Sequence, residues 1–102
     1  MTGLIDLAIQ KTKEWRNHIK THDFGLDKPL TRNAYYSSFY LGLREDIIRG
    51  CREAVKTIPD KTKRTIAFSI LMCALNTIFR YGKKPEIVEY YNGWLNEYVG
   101  MS

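Results

Sequence analysis

Glutamine occurs once in this 102-residue chain, at Gln10, proline three times, and cysteine and histidine twice each. Each scarcity excludes a class of protein. Three prolines and seven scattered glycines rule out a collagen-like or proline-rich chain and leave no glycine-rich phosphate loop. Two cysteines, Cys51 and Cys73, are too few for a disulfide scaffold and do not form a metal-ligand pattern. Both read as reduced, buried thiols, with a Cys51–Cys73 disulfide as the alternative. Long hydrophobic runs are missing too. The most apolar stretch, 65–79, is interrupted by Ser69, Asn76 and Thr77 and falls short of the roughly 20 residues that span a bilayer, so it reads as a core helix and no membrane association is expected. The N-terminus has no basic region followed by an apolar run, so no signal peptide is expected and the chain reads as cytoplasmic.

What is present is a balanced globular composition: 44% hydrophobic residues, 26% charged, and seven tyrosines. The length suits one domain, residues 1–102, with enough core to fold without metal or disulfide. Lysine and arginine number 16 against 11 acids, giving +5, a mild bias toward acidic partners.

Helical periodicity dominates. A first helix is capped at Thr2 and runs to about Thr21, with an inner stripe of Ile5, Ala8, Thr12, Trp15 and Ile19. Asp23, Gly25, Asp27 and Pro29 mark a loop. A second helix runs from Thr31 to Thr57 with Tyr36, Tyr40, Leu43, Ile47, Cys51, Ala54 and Ile58 inward, and Gly42 and Gly50 can split it. Pro59 stops it and Asp60 caps a third helix, apolar on nearly all sides between Ile66 and Phe79 and closed by a left-handed Gly82. Pro85 opens a fourth, whose inner face is read as Ile87, Tyr91, Trp94 or Leu95, and Tyr98. No segment alternates with period two for long enough to be a strand. The expected fold is an all-α bundle of four helices, five if the second breaks.

The chain also matches itself. Lys11-Thr12-Lys13 recurs as Lys61-Thr62-Lys63, Lys28-Pro29 as Lys84-Pro85, and Tyr35-Tyr36 as Tyr90-Tyr91, in the same order and at offsets of 50, 56 and 55. Phe39 and Trp94 follow the two tyrosine pairs. A duplication, 1–50 and 51–102, predicts two similar helical hairpins about an approximate two-fold axis, with a groove between them. On these paired elements the chain resembles the small orphan proteins of archaeal filamentous viruses such as Acidianus filamentous virus. The resemblance implies a viral accessory protein acting in the host cell through protein contacts, and it carries over no catalytic residue.

Chemistry-bearing constellations are few. Glu14, His18 and His22 share a helix face, but Ile19 stands where a zincin has its glutamate, so no metal site is expected. Ser37 and Ser38 have no nearby histidine, and no catalytic residue or cofactor is assigned. Adjacent aromatics cannot both face a core, because successive helical residues turn by about 100°. Tyr35, Tyr36, Phe39, Tyr40, Tyr90, Tyr91 and Trp94 are therefore candidate partner-binding residues. Lys13, Arg16, Lys20, Lys61, Lys63, Arg64, Lys83 and Lys84 would form a basic rim. Two uses fit them: a protein or peptide segment held in the groove, or nucleic acid bound without sequence specificity. Exposed aromatics also make a homo-oligomer possible.

Overall fold

A computed structural model describes residues 3–21 and 45–101, with side chains at 3–17 and 45–101. Four α-helices occupy these residues, and no strand is present among them: α1 (Leu4–Thr21), α2 (Glu45–Val55), α3 (Lys61–Tyr81) and α4 (Pro85–Tyr98). The all-helical class expected from periodicity holds. The proposed Thr2 cap and the first part of the expected second helix, 31–44, lie outside the described residues.

The helices bury matching double columns. In α1 these are Leu4, Ile5, Ala8, Ile9 and Thr12; in α2 they are Asp46, Ile47, Gly50, Cys51, Ala54 and Val55. Positions i and i+4 share a helix face, so two adjacent columns make a wide buried stripe. Ala8, Thr12, Gly50 and Ala54 are small, and α1 and α2 approach until the backbones touch. A Cβ added at Gly50 would sit 2.5 Å from the Thr12 amide nitrogen and 2.7 Å from its Cα. The Thr12 hydroxyl, wholly buried in this seam, donates to the Ala8 carbonyl at 2.7 Å and so is not left unpaired.

Ile58, Pro59 and Asp60 carry the chain from α2 into α3. Ile58 is buried, and the Arg64 guanidinium donates back to the carbonyls of Ile58 and Pro59. Asp60 caps α3 as its sequence position demands, accepting from the Lys63 amide at 2.9 Å. Helix α3 buries Ala67, Ile70, Leu71, Ala74, Leu75 and Ile78 and packs against the other three helices, the central place its composition predicts. It is not apolar all round, since Thr65, Ser69, Cys73 and Asn76 face outward. The expectation of two buried thiols is thus corrected: Cys51 is buried and Cys73 is exposed. Both are free. Burial pushes the Cys51 thiol up to about 12, because the thiolate would be stripped of water there.

Gly82 ends α3 with its amide donating to the Ile78 carbonyl at 2.8 Å. Its φ is +100° and its ψ 160°, so it takes an extended glycine conformation rather than the left-handed cap expected. Pro85 then opens α4. Leu95 is the buried residue of that helix, with Val99 just beyond its end. Tyr91, half-buried, hydrogen-bonds its hydroxyl to Thr77 of α3 at 3.2 Å. Thr77 already donates to the Cys73 carbonyl, so Tyr91 is the donor.

One polar contact crosses three helices. Arg16 of α1 donates from Nε to Asp46 of α2 at 3.0 Å, and its guanidinium lies 4.7 Å over the Phe79 ring of α3. Asp46 is 6% exposed, so this charge is held in place rather than displayed. Arg49 behaves similarly, pairing with Glu45 at 2.6 Å and lying 4.7 Å over Trp15.

Candidate protein-binding face

The largest exposed apolar side chains among the described residues are Tyr81, Tyr90, Trp94, Tyr98 and Met101, between 38% and 59% exposed. Tyr90, Trp94 and Tyr98 lie on α4, Met101 lies just beyond its C-terminal end, and Tyr81 is the last residue of α3. This concentration is the feature that separates α4 from the other helices. Isolated exposed apolar residues are ordinary, whereas a contiguous patch marks an interaction surface.

The geometry follows from helical spacing. Tyr90, Trp94 and Tyr98 recur at i, i+4 and i+8, so they rise along one face. The Tyr90 and Trp94 centroids are 5.8 Å apart with planes tilted at 44°. Trp94 and Tyr98 are 5.9 Å apart at 64°. These separations and tilts are those at which aromatic quadrupoles attract, so the rings hold one another in place. Tyr91 meets Tyr90 edge-on at 5.1 Å and turns toward α3. The rule that adjacent tyrosines must diverge is obeyed here: Tyr91 anchors and Tyr90 points out.

Two expectations about α4 need correction. Of the two residues left open for the inner face, Leu95 rather than Trp94 takes it, together with Val99, whereas Tyr98, expected inward, is 53% exposed and joins the outer ladder. The aromatics therefore form an outward ladder, not the lining of an inter-hairpin groove among the described residues. The other aromatic candidates, Tyr35, Tyr36, Phe39 and Tyr40, lie outside the described residues. The duplicated triplets occupy dissimilar places. Thr12 is buried mid-helix in the α1–α2 seam, whereas Thr62 is exposed in the first turn of α3.

The basic rim also divides. Arg16 is committed to Asp46 and Phe79, Arg64 to the turn before α3, and Lys83 to Asp6 at 2.6 Å. Lys13, Lys61, Lys63 and Lys84 are exposed with no side-chain partner among the described residues. The Lys20 side chain lies outside them. On α4 itself the ionisable side chains other than tyrosine are Glu86, Glu89 and Glu97, so carboxylates border the aromatic ladder, not a ring of lysines. Sequence reasoning missed Tyr81, Tyr98 and these acids as parts of one surface. The signal for Tyr98 and the acids was available in the i, i+4 spacing and in the absence of any basic residue from 85 to 98.

A shallow concavity on another side of α4, edged by Pro85, Glu89, Asn92 and Asn96, is formed largely by that one helix. Among the described residues no group of three acidic, histidine or cysteine side chains could hold a metal, and no helix is long and apolar enough to cross a membrane. Glu14 pairs with Lys11 at 3.4 Å, and the side chains of its expected companions His18 and His22 lie outside the described residues.

No protein-family model matches the chain, and neither a curated protein nor a solved structure matches it.

Proposed function

We propose that this chain is a non-enzymatic protein-interaction module that recognises a protein partner through the outer face of α4. The observation that carries this reading is the exposed, mutually braced ladder of Tyr90, Trp94 and Tyr98. Tyrosine and tryptophan supply large contact areas with few rotatable bonds and are the side chains most enriched at binding hot spots. Helix α4 is tied to the core by Leu95 and by the Tyr91–Thr77 hydrogen bond, so the ladder stands on a fixed support. The bordering carboxylates favour a partner surface that is apolar at its centre and basic at its edge.

The helix pairs α1–α2 and α3–α4 are read as two hairpins of common origin, on the strength of the repeated Lys-Pro and Tyr-Tyr elements. A viral accessory role in the host cell cytoplasm belongs to the same proposal and rests on the resemblance given above. Nucleic-acid binding is the second reading, favoured by exposed Lys13, Lys61, Lys63 and Lys84.

Affinity capture from a host lysate, with nuclease treatment in parallel, tests both. Capture that survives nuclease and is lost in the doubly substituted Tyr90→Ala, Trp94→Ala protein, with the helical spectrum unchanged, supports the protein-binding reading. Capture indifferent to both substitutions refutes it. Binding to random duplex DNA that falls steeply with salt would instead favour the nucleic-acid reading.

A further inference from the structure

We infer that the partner of the α4 face is a basic amphipathic helix, seated by two arginines that each lie between a carboxylate and a ring. The inference rests on the protein-binding reading above and specifies the chemistry of its partner. Two observations lead to it: the order of acids and rings along α4, and the way this fold holds its own arginines.

Helix α4 carries Glu86, Glu89 and Glu97 and no basic residue. All three acids are exposed, and none forms an ion pair among the described residues. Residues three or four apart on a helix are neighbours on its surface. Glu86 stands four before Tyr90, and Glu97 stands three after Trp94. Each of these acids is thus a carboxylate beside an exposed ring. Glu89, next in sequence to Tyr90, is turned by about 100° from it and edges the concavity instead. Between the two pairs Gly93 offers no side chain, and nothing lies within 4 Å of the Cβ position there, so a partner meets no obstruction beside Tyr90.

Elsewhere the fold fills such pairs with arginine. Arg16 is held by Asp46 at 3.0 Å while lying 4.7 Å over Phe79, and Arg49 is held by Glu45 at 2.6 Å while lying 4.7 Å over Trp15. Tyr81 has Arg80 at 5.6 Å from its centroid. A planar guanidinium serves both neighbours at once, turning its N–H fork to the carboxylate and its face to the ring. At Glu86–Tyr90 and at Trp94–Glu97 the carboxylate and the ring are in place, and no cation of the described residues lies over either ring. The guanidinium that each pair suits comes from the partner.

Spacing sets the partner's shape. The centres of the two pairs lie about 11 Å apart along α4, from a rise of ~1.5 Å per residue. Two arginines about seven residues apart on a second helix span the same distance and share one face. Positions three and four after the first arginine point the same way and lay apolar side chains on Tyr90 and Trp94. A lone helix face gives an extended segment no strand edge to pair with, whereas it accepts another helix lengthwise, so the fitting occupant is helical.

Fluorescence anisotropy of a labelled peptide titrated with the full chain provides the test. The probe is an alanine- and glutamine-based helical peptide of about 18 residues, with arginine at two positions seven apart and leucine at the third and fourth positions after the first arginine. It should bind with a dissociation constant on the order of 100 μM at low salt. Lysine in place of both arginines should weaken binding about fivefold, and glutamate in their place should abolish it. Tyr90→Ala with Trp94→Ala should weaken binding at least about tenfold and leave the helical spectrum as it was, since both rings are exposed. Glu86→Gln and Glu97→Gln should each weaken it roughly fivefold, and Glu89→Gln, which changes the net charge equally, less than about twofold. An arginine peptide that does not bind at about 1 mM protein overturns the inference. So does equal weakening by the three glutamine variants with no preference for arginine over lysine, the signature of diffuse attraction. If the peptide fails yet Trp94-dependent capture or self-association is found, the basic helix is not the occupant and the protein-binding reading stands. If both are lost, both fall.

Discussion

Substituting Gly50 by alanine tests how closely α1 and α2 meet. The added Cβ would collide with Thr12 Oγ1 and lie 2.5 Å from its amide nitrogen and 2.7 Å from its Cα. Carbon atoms pack at about 3.5–4.0 Å, so the two helices must part by about 1 Å. A gap of that size forfeits about a quarter to a half of each contact along the seam, where Ala8, Thr12, Cys51 and Ala54 are fully buried. Overpacking of this kind costs about 1–3 kcal/mol, and contact with backbone places Gly50→Ala at the upper end. Better helix propensity returns about 1 kcal/mol, leaving a net loss of about 2 kcal/mol. Gly93 is the control: it is helical and exposed, and nothing lies within 4 Å of its added Cβ. Gly93→Ala should stabilise by about 1 kcal/mol, so one chemical change acquires opposite signs at two sites. In thermal melts followed by circular dichroism, Gly50→Ala should lower the midpoint by about 10 °C and Gly93→Ala should raise it by a few degrees, at ~4–8 °C per kcal/mol. Adding Thr12→Ala to Gly50→Ala should recover little, because two of the three close contacts are backbone atoms. A Gly50→Ala protein as stable as wild type would refute backbone contact at this crossing.

Neighbouring residues on α4 should behave oppositely: Leu95→Ala should cost about 3 kcal/mol by opening a cavity under the helix, while Trp94→Ala, at an exposed ring, should cost less than about 1 kcal/mol in urea titrations. Asp60→Ala should lower stability by about 1 kcal/mol by uncapping α3, read in the same titration. A maleimide or disulfide reagent at pH 8 should modify Cys73 in the native protein and both cysteines in denaturant; rapid native labelling of Cys51 would contradict its burial. Because the Cys51 thiol is held up to about 12 in the fold, against 9.0 for an ordinary thiol, the unfolded chain ionises first, so stability should fall as pH rises from about 9 toward 12. Cys51→Ala should lack this component, and an unchanged pH slope in that variant would show that the buried thiol contributes none of it.

Much of the architecture is legible from residue spacing. The stripe Ile5, Ala8, Thr12 and the run Ile47, Cys51, Ala54, Ile58 predict buried positions that are buried, and Pro59-Asp60 and Pro85 fix where helices begin. What escaped the sequence are the facts that depend on a neighbour. Trp94 and Leu95 are both apolar and adjacent, so periodicity alone leaves their order open; contact with α3 decides it for Leu95. Cys73 looks like core in a run from Ile70 to Leu75, yet it falls on the side of α3 that no described helix covers. Arg16 looks like a surface cation until Asp46 and Phe79, 30 and 63 residues away, are brought to it. The glycine at 50, readable as a kink, instead lies against the Thr12 backbone where α1 and α2 pack.

Charge illustrates how a global count misleads about a local surface. The net +5 combines −3 on α4 with +8 elsewhere. Part of that +8 is spent inside the molecule, on Arg16, Arg49, Arg64 and Lys83, each held by a carboxylate, a ring or a carbonyl. Stacking of bases on Tyr90 and Trp94 would need cations beside the rings to receive the phosphates, as single-strand binders provide. Here Glu86, Glu89 and Glu97 stand on the same helix and would repel a phosphate backbone. The rings and the free lysines therefore cannot serve one nucleic-acid site on α4. Nucleic-acid binding through the free lysines Lys13, Lys61, Lys63 and Lys84 would proceed without the ladder, and Trp94→Ala would leave it unchanged. The same substitution abolishes association if the ladder binds protein, so one variant read in both assays separates the two uses of this surface.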